Sequence, residues 1–299
     1  MVENFRRVIQ AMREIVFAKT NPPYESYTDW YKLVEVSGFR TIWLKDLDVR
    51  EDLIVITTPF TGEIRQHIQH RERELGHKRR ASLIWWCLER GPLNGDEPEY
   101  VDEIWISDRW YATLIPERSR FVVLGSDANL ADGPMREPKD RIYAGVHLMY
   151  VWGRRQNLME RLYKEKVADR ELGGSLWGSK RHDALSKSRF MWTVRQDDTF
   201  EKKWPPHVPV PVPIIEPLRF ALAAAYGIPL ISETAMDTYP YEPGIDYVQA
   251  DFWQFHNIVR QCLSEPYEKY WMMGERMRQK MCFDFNFRQE VLKAAEALQ

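Results

Sequence analysis

The sequence predicts an α/β protein of two similar halves, each a parallel sheet flanked by helices, facing one another across a cleft. Three observations predict it. Short apolar runs alternate with helical patterns from Ile15 to Leu124, as parallel strands with helical crossovers do. The stretch GSDANLADGPMREPKD (125–140), rich in Gly, Pro and acids, then interrupts the pattern and reads as a linker. Beyond it the alternation restarts, and three helical segments follow.

In order, Ile15 to Ala18 reads as a strand, NPPYESYT as a loop, and Asp29 to about Ser37 as a helix. Thr41 to Leu44 and Leu53 to Thr57 (LIVIT) are strands, Gly62 to about Leu75 a charged helix, and Ala81 to Leu88 (ASLIWWCL) a buried strand. Glu103 to Ser107 and Arg120 to Leu124 complete the first half. The second half opens with a strand near 142–150 and a helix over about 155–167. It continues with the Gly-rich loop ELGGSLWGSKR, a helix at about 182–187 and a strand at 189–194. A loop at 196–213 holds five prolines, and helices are expected at about 252–263, 266–281 and 287–298. The domain reading is 1–125, a linker at 126–139, and 140–299 with its terminal helices packing back across the interface. No GxGxxG follows the first strand, which argues against a dinucleotide dehydrogenase.

Composition bounds the function. The formal charge of −2 recommends neither nucleic acid nor an acidic membrane as a whole-molecule partner, although a local basic patch is compatible with it. Cys87, Cys262 and Cys282 lie far apart and form no zinc or disulfide pattern. No apolar run reaches membrane-spanning length and the first residues are too charged for a signal peptide, so a cytoplasmic setting is expected. Twelve Trp and fourteen Tyr suit either a large core or stacking on sugars and bases.

The most informative stretch is EPLRFALAAAYGIPLISETAMD (216–237). An acid opens a small-residue helix, a glycine ends it, and a short apolar strand stops at Ser232-Glu233. A helix N-terminus with its unpaired N–H groups suits a diphosphate. Glu216 either accepts two hydroxyl hydrogen bonds from a ribose or is an ordinary acid favoured by the helix dipole. Arg219, one turn in, either reaches a phosphate or pairs with Glu216. Glu233 and Asp237 either meet sugar hydroxyls or cap the next turn. In VWGRRQ (151–156), Gly153 allows close approach and Arg154 and Arg155 present two guanidinium groups beside a helix start, matched to phosphate oxygens. Trp177 either stacks on a base, with Lys180 or Arg181 nearby, or plugs the gap between the halves.

The order strand–GRR–WG–EPLR–GIPLISE resembles the donor-binding half of GT-B glycosyltransferases, which are two Rossmann-like domains facing a cleft. The resemblance implies a metal-independent transferase that moves a sugar from a nucleotide diphosphate sugar, UDP-sugar first among them, to a hydroxyl, with no other cofactor. It implies Glu216 at the ribose, Arg154 and Arg155 at the diphosphate and Trp177 at the base. Many members carry a second glutamate eight residues after the first. Here that position is Ala224, so the retaining or inverting outcome stays open. Inverting members often draw a base from the first half, which makes Asp29 a candidate beside its alternative as a helix cap, with Glu25 and Glu63 as rivals. Asp46-Leu47-Asp48 spells DxD, the metal motif of the other large glycosyltransferase fold, but sits among surface charges and reads as a solvated turn.

For the acceptor, RQHIQHRERELGHKRR (65–80) is basic, and Arg65, Arg79 and Arg80 are candidates to track a phosphate backbone; its glutamates make a solvated helix the competing reading. The first-half segments IQHRERELGHKRRASLIWWCLERG and DEIWISDRW are similar to small phage-encoded glycosyltransferases, some of which act on hydroxymethylated DNA bases. That resemblance implies DNA as one acceptor, which would require base flipping. The alternative is a non-catalytic nucleic-acid-binding or sugar-nucleotide-binding protein on the same fold.

Overall fold

The computed structural model describes residues 13–19, 28–58, 62–76, 79–88, 100–113, 117–131, 133, 135–148, 154–168, 176, 178–194 and 215–298. The first half is a parallel sheet of β1 (Glu14–Lys19), β2 (Arg40–Trp43), β3 (Leu53–Thr57), β4 (Ser82–Cys87), β5 (Glu103–Ile106) and β6 (Ser119–Phe121). Their order is β2-β1-β3-β4-β5-β6. The chain reverses direction of travel between β1 and β3, and crevices at the carboxyl ends of strands open at such points. The second half is a parallel sheet of β7 (Tyr143–His147), β8 (Ser188–Thr193), β9 (Leu230–Glu233) and β10 (Val248–Ala250), ordered β10-β9-β8-β7 among the described residues. β10 was not foreseen; VQA is too short to give an apolar run.

Helices cover both sheets. In the first half they are α1 (Thr28–Val36), α2 (Gly62–Leu75) and the single turn α3 (Arg109–Ala112). In the second they are α4 (Arg154–Lys164), α5 (Ser179–Lys187), α6 (Pro217–Ala225), α7 (Phe255–Ser264) and α8 (Tyr267–Gln279), and α9 (Phe287–Glu296) ends the series. The expected helix over 266–281 gives way after Gln279 to a π-helical turn, Lys280–Asp284.

Helix α6 shows how sequence sets position. Ala221, Ala223, Ala224 and Ala225 are wholly buried, so their small side chains let the helix lie close to its neighbours on every side. Gly227, at φ +57°, ends it. Its N–H donates to Ala224 O and the next N–H, from Ile228, to Ala223 O, the paired arrangement that satisfies the last carbonyls of a helix. The chain then enters β9 directly.

The 126–139 linker is packed where it leaves the first half. Ser126 N–H donates to Met281 O at 2.9 Å, its hydroxyl to Ala221 O at 2.7 Å, and its carbonyl accepts from Phe287 N–H at 3.0 Å. A Cβ on Gly125 would stand 1.8 Å from Phe285 O, so no other residue fits the crossing. Turn-forming composition is real here, since Asp127 accepts from Asn129 N–H, but the segment is wedged between the halves.

Helix α9 packs on the first half. Phe287 stacks on Trp86 with centroids 5.6 Å apart and planes 7° apart, and meets Trp30 edge-on at 5.5 Å. Arg288 Nη1 donates to Ser37 O at 2.9 Å. One core cluster therefore runs through both halves, from Phe17, Trp30 and Trp86 through Leu130 to Phe220, Leu230 and Val291. Two further clusters fill the outer faces of the two sheets.

Candidate functional site

The carboxyl ends of β8 and β9 and the first turns of α4 and α6 converge. Glu216 is the residue before α6, yet its side chain makes no cap hydrogen bond to that helix. The carboxylate turns toward the sheet instead. Its Oε2 accepts from the Thr193 hydroxyl at the end of β8 and from Arg219 Nη1. Arg219 Nη1 also donates to Thr193 Oγ1 at 3.0 Å. Arg155 Nη2 stands 3.4 Å from Glu216 Oε1, and Arg155 Nε donates to Val194 O. Glu216 thus makes no side-chain cap, and Arg219 pairs with it in this structure.

Arg154, one residue earlier on α4, donates through Nη2 to Glu233 Oε1 at the end of β9. Its guanidinium lies 3.7 Å from the Phe252 ring centroid, so a carboxylate and an aromatic face fix its plane together. Glu233 is buried with its carboxylate on Arg154. Three guanidinium groups (Arg154, Arg155, Arg219) thus face two carboxylates (Glu216, Glu233). The excess is one positive charge, next to a helix N-terminus that adds a further partial one. Such a cluster can take an anion without a large desolvation cost. Thr193 was missed by sequence reasoning. Its signal was a hydroxyl residue near the end of a largely apolar strand. Trp177 and Gly153 lie outside the described residues.

Asp29 needs a correction. It is only 1 % exposed, and its Oδ2 accepts from Arg181 Nη1 on α5 of the other half. His182 Nε2 is 3.5 Å from Oδ1, His182 Nδ1 contacts Tyr226 Oη, and Lys32 Nζ is 3.4 Å from the same imidazole. Burial raises the Asp29 pKa, but the His182 hydrogen bond and the Arg181 charge outweigh it and hold it below its ordinary value. The carboxylate is enclosed by partners from both halves. It is a strut between the halves. Of its rivals, Glu25 and the side chain of Glu63 lie outside the described residues.

A second contact crosses between the halves nearer solvent. Arg109, at the start of α3, forks onto Asp237 in the loop after β9, and its guanidinium covers the Tyr239 ring at 4.8 Å. Asp237 is held below its usual range because the hydrogen bonds and charge it receives outweigh its partial burial.

In the basic segment, Arg79 is tied to acidic partners. Arg79 donates to Glu72 Oε1 at 3.1 Å, to Asp102 Oδ2 at 3.0 Å and to Tyr100 O at 3.2 Å. Arg65 lies 4.3 Å above the Tyr100 ring. Arg80 is exposed. In the DxD segment, Asp48 accepts a fork from Arg50, and those hydrogen bonds lower its pKa to about 2. No group of three or more His, Cys, Asp or Glu side chains that could hold a metal occurs among the described residues. None of the described helices is long and apolar enough to cross a membrane.

No protein-family model and no curated protein sequence matches the chain. Solved structures do match it along almost its whole length. Anabaena Alr3699/HepE, solved with UDP and glucose, superposes with a TM-score of 0.58 at 9 % identity over 95 % of this chain and 100 % of its own. A glycosyltransferase from Rickettsia africae ESF-5 gives 0.55 at 9 % identity, covering 96 % and 98 %. AviGT4, a glycosyltransferase involved in avilamycin A biosynthesis, gives 0.55 at 10 % identity with the same coverage. At such identities the likeness speaks for architecture, and the architecture of this chain is the GT-B fold of those glycosyltransferases.

Proposed function

We propose that the chain is a glycosyltransferase that moves a sugar from a nucleotide diphosphate sugar, with UDP-sugar the first candidate, to a hydroxyl acceptor. The observation that carries this reading is the Glu216 carboxylate. It is turned off its own helix end, gripped by Thr193 and Arg219, and set beside Arg155. A carboxylate held toward the end of β8 and beside a second guanidinium supports a role in holding a ribose at this helix start.

In this reading Arg154 and Arg155 stabilise the departing diphosphate, a charge that grows toward the transition state and so lowers the barrier. Glu216 fixes the ribose, and Trp177 receives the base. Protein cations supply the charge that a divalent metal supplies elsewhere. Asp29 holds the two halves at their working separation, and the acceptor is activated by a group other than Asp29. A hydroxymethylated pyrimidine in DNA is a narrower version of this proposal, resting on Arg65, Arg79 and Arg80. Arg79 is tied to Glu72 and Asp102, so the acceptor class is left at a hydroxyl compound.

The test is a thermal-shift panel of UDP, GDP, ADP and UDP-sugars on wild type and Glu216→Ala, followed by UDP-sugar hydrolysis without acceptor. A ligand bound only by the folded state raises its melting temperature. A shift with one nucleotide, lost in the variant, together with slow hydrolysis, is the expected result. Absence of any shift would favour a protein that binds no sugar nucleotide on this fold.

A further inference from the structure

The hydrogen-bonding capacity of Glu216 can be counted. An ionised carboxylate offers about four acceptor positions, two on each oxygen. Oε2 already receives the Thr193 hydroxyl and Arg219 Nη1, so both of its positions are taken. Oε1 receives Arg155 Nη2 at a long 3.4 Å, which leaves it one strong acceptor position. The side chain is 30 % exposed, whereas Thr193 is buried. The open position therefore lies on Oε1, and the inner oxygen is closed.

Thr193 decides which oxygen is which. A hydroxyl has one hydrogen. The Arg219 guanidinium donates to the Thr193 oxygen at 3.0 Å, so the Thr193 hydrogen is directed onward to Glu216 Oε2. Arg219, Thr193 and Glu216 close a triangle in which each polar contact fixes the next. Arg219 reaches the carboxylate through a long side chain that is 19 % exposed, whereas Thr193 reaches it through a short one buried at the end of β8. Without the Thr193 hydroxyl the inner oxygen regains an acceptor position, and the carboxylate plane is free to turn and present both oxygens at once.

Resting on the donor-site reading above, we infer that Thr193 is a positioning residue which restricts Glu216 to a single ribose hydroxyl, read through Oε1. The expectation that Glu216 takes both hydroxyls is thereby narrowed. The site discriminates between the 2′ and 3′ positions and does not chelate the diol.

Isothermal titration with UDP, GDP and ADP, each beside its 2′-deoxy and 3′-deoxy forms, tests this on wild type, Thr193→Val and Thr193→Ser. In wild type one deoxy form of the bound nucleotide should weaken on the order of tenfold or more, the worth of a charge-assisted hydrogen bond, and the other by less than about threefold. Thr193→Val should bring the two deoxy forms to within about threefold of one another, whatever its effect on the ribonucleotide itself, and Thr193→Ser should restore the difference. A merely structural threonine would change all three ligands together. Equal losses for both deoxy forms in wild type, or discrimination that survives in Thr193→Val, overturns the inference and leaves the donor site standing. If wild type binds no nucleotide, the donor site falls and this inference with it. Should Thr193→Val not fold, discrimination in Thr193→Ser against Thr193→Ala decides, with loss in the alanine variant alone as the supporting result.

Discussion

Arg109 and Asp237 meet across the two halves, with Nε 2.7 Å from Oδ2 and Nη2 3.1 Å from Oδ1. The pair joins the turn after β5 to the loop after β9, both at the carboxyl ends of their strands. Arg109 is exposed enough to be well screened, so the contact adds little to global stability. Arg109→Ala should leave the melting temperature nearly unchanged yet raise amide exchange over 234–247. Exchange there that matches wild type would show that the pair does not hold the loop.

The Asp29–Arg181 pair is of another kind. Both side chains are almost fully enclosed, and removing one leaves a buried charge, at a cost of about 3–5 kcal/mol. Asp29→Ala and Arg181→Ala should each lower the unfolding free energy by that order, and the double variant by clearly less than their sum. Additive losses would contradict a direct pair. Asp29 has a lowered pKa in the folded protein. Its contribution is therefore full above the ordinary value of 3.8 and is lost as pH falls through the depressed one. The stability difference between wild type and Asp29→Asn should accordingly be flat from pH 5 to 8 and shrink only in stronger acid.

Arg154 lies between the Phe252 ring and the Glu233 carboxylate. Lysine can supply its charge but not its plane or its fork. Arg154→Lys should stay folded and bind UDP roughly tenfold more weakly. If UDP binds Arg154→Lys as tightly as wild type, Arg154 does not contact the phosphates.

On the proposed reading Arg154, Arg155 and Arg219 supply the charge beside the diphosphate, so turnover of a UDP-sugar should not depend on a divalent cation. Initial rates with EDTA and with added Mg²⁺ or Mn²⁺ should agree within about twofold, the charge being supplied by the protein. A loss of about tenfold or more on chelation, restored by the ion, would assign the charge to a metal instead.

Phe287 stacks on Trp86 and is wholly buried. Phe287→Ala should cost about 3–5 kcal/mol, as large aromatic truncations in cores do, and should quench or shift the fluorescence of the Trp30–Trp86 pair. A loss under about 1 kcal/mol would mean that the surrounding aromatics collapse into the gap.

Much of the fold was legible because its signals are local. The apolar runs of β3 and β4, the glycine that ends α6 and the acid that opens it all lie within a few residues of what they determine. The contact of Glu216 with Arg219 one turn on, one of the two alternatives open for that arginine, is local for the same reason. What could not be read depends on partners far along the chain. Asp29 looks like a cap or a base until Arg181 is brought against it, and Arg79 looks like a phosphate ligand until Asp102 is. Residues 125–131 have the composition of an exposed linker. Only the approach of Phe285 and Met281 turns them into a buried crossing.

The placement of α9 sets an order on synthesis. Trp86 and Trp30 belong to the first third of the chain, while the ring that completes their cluster is Phe287. A nascent first half therefore emerges from the ribosome with an aromatic face open, and it stays open until nearly the whole second half has been made. Contacts of such long sequence separation form late. The first half is consequently exposed to association with other chains for most of translation, and the two halves acquire their final stability together.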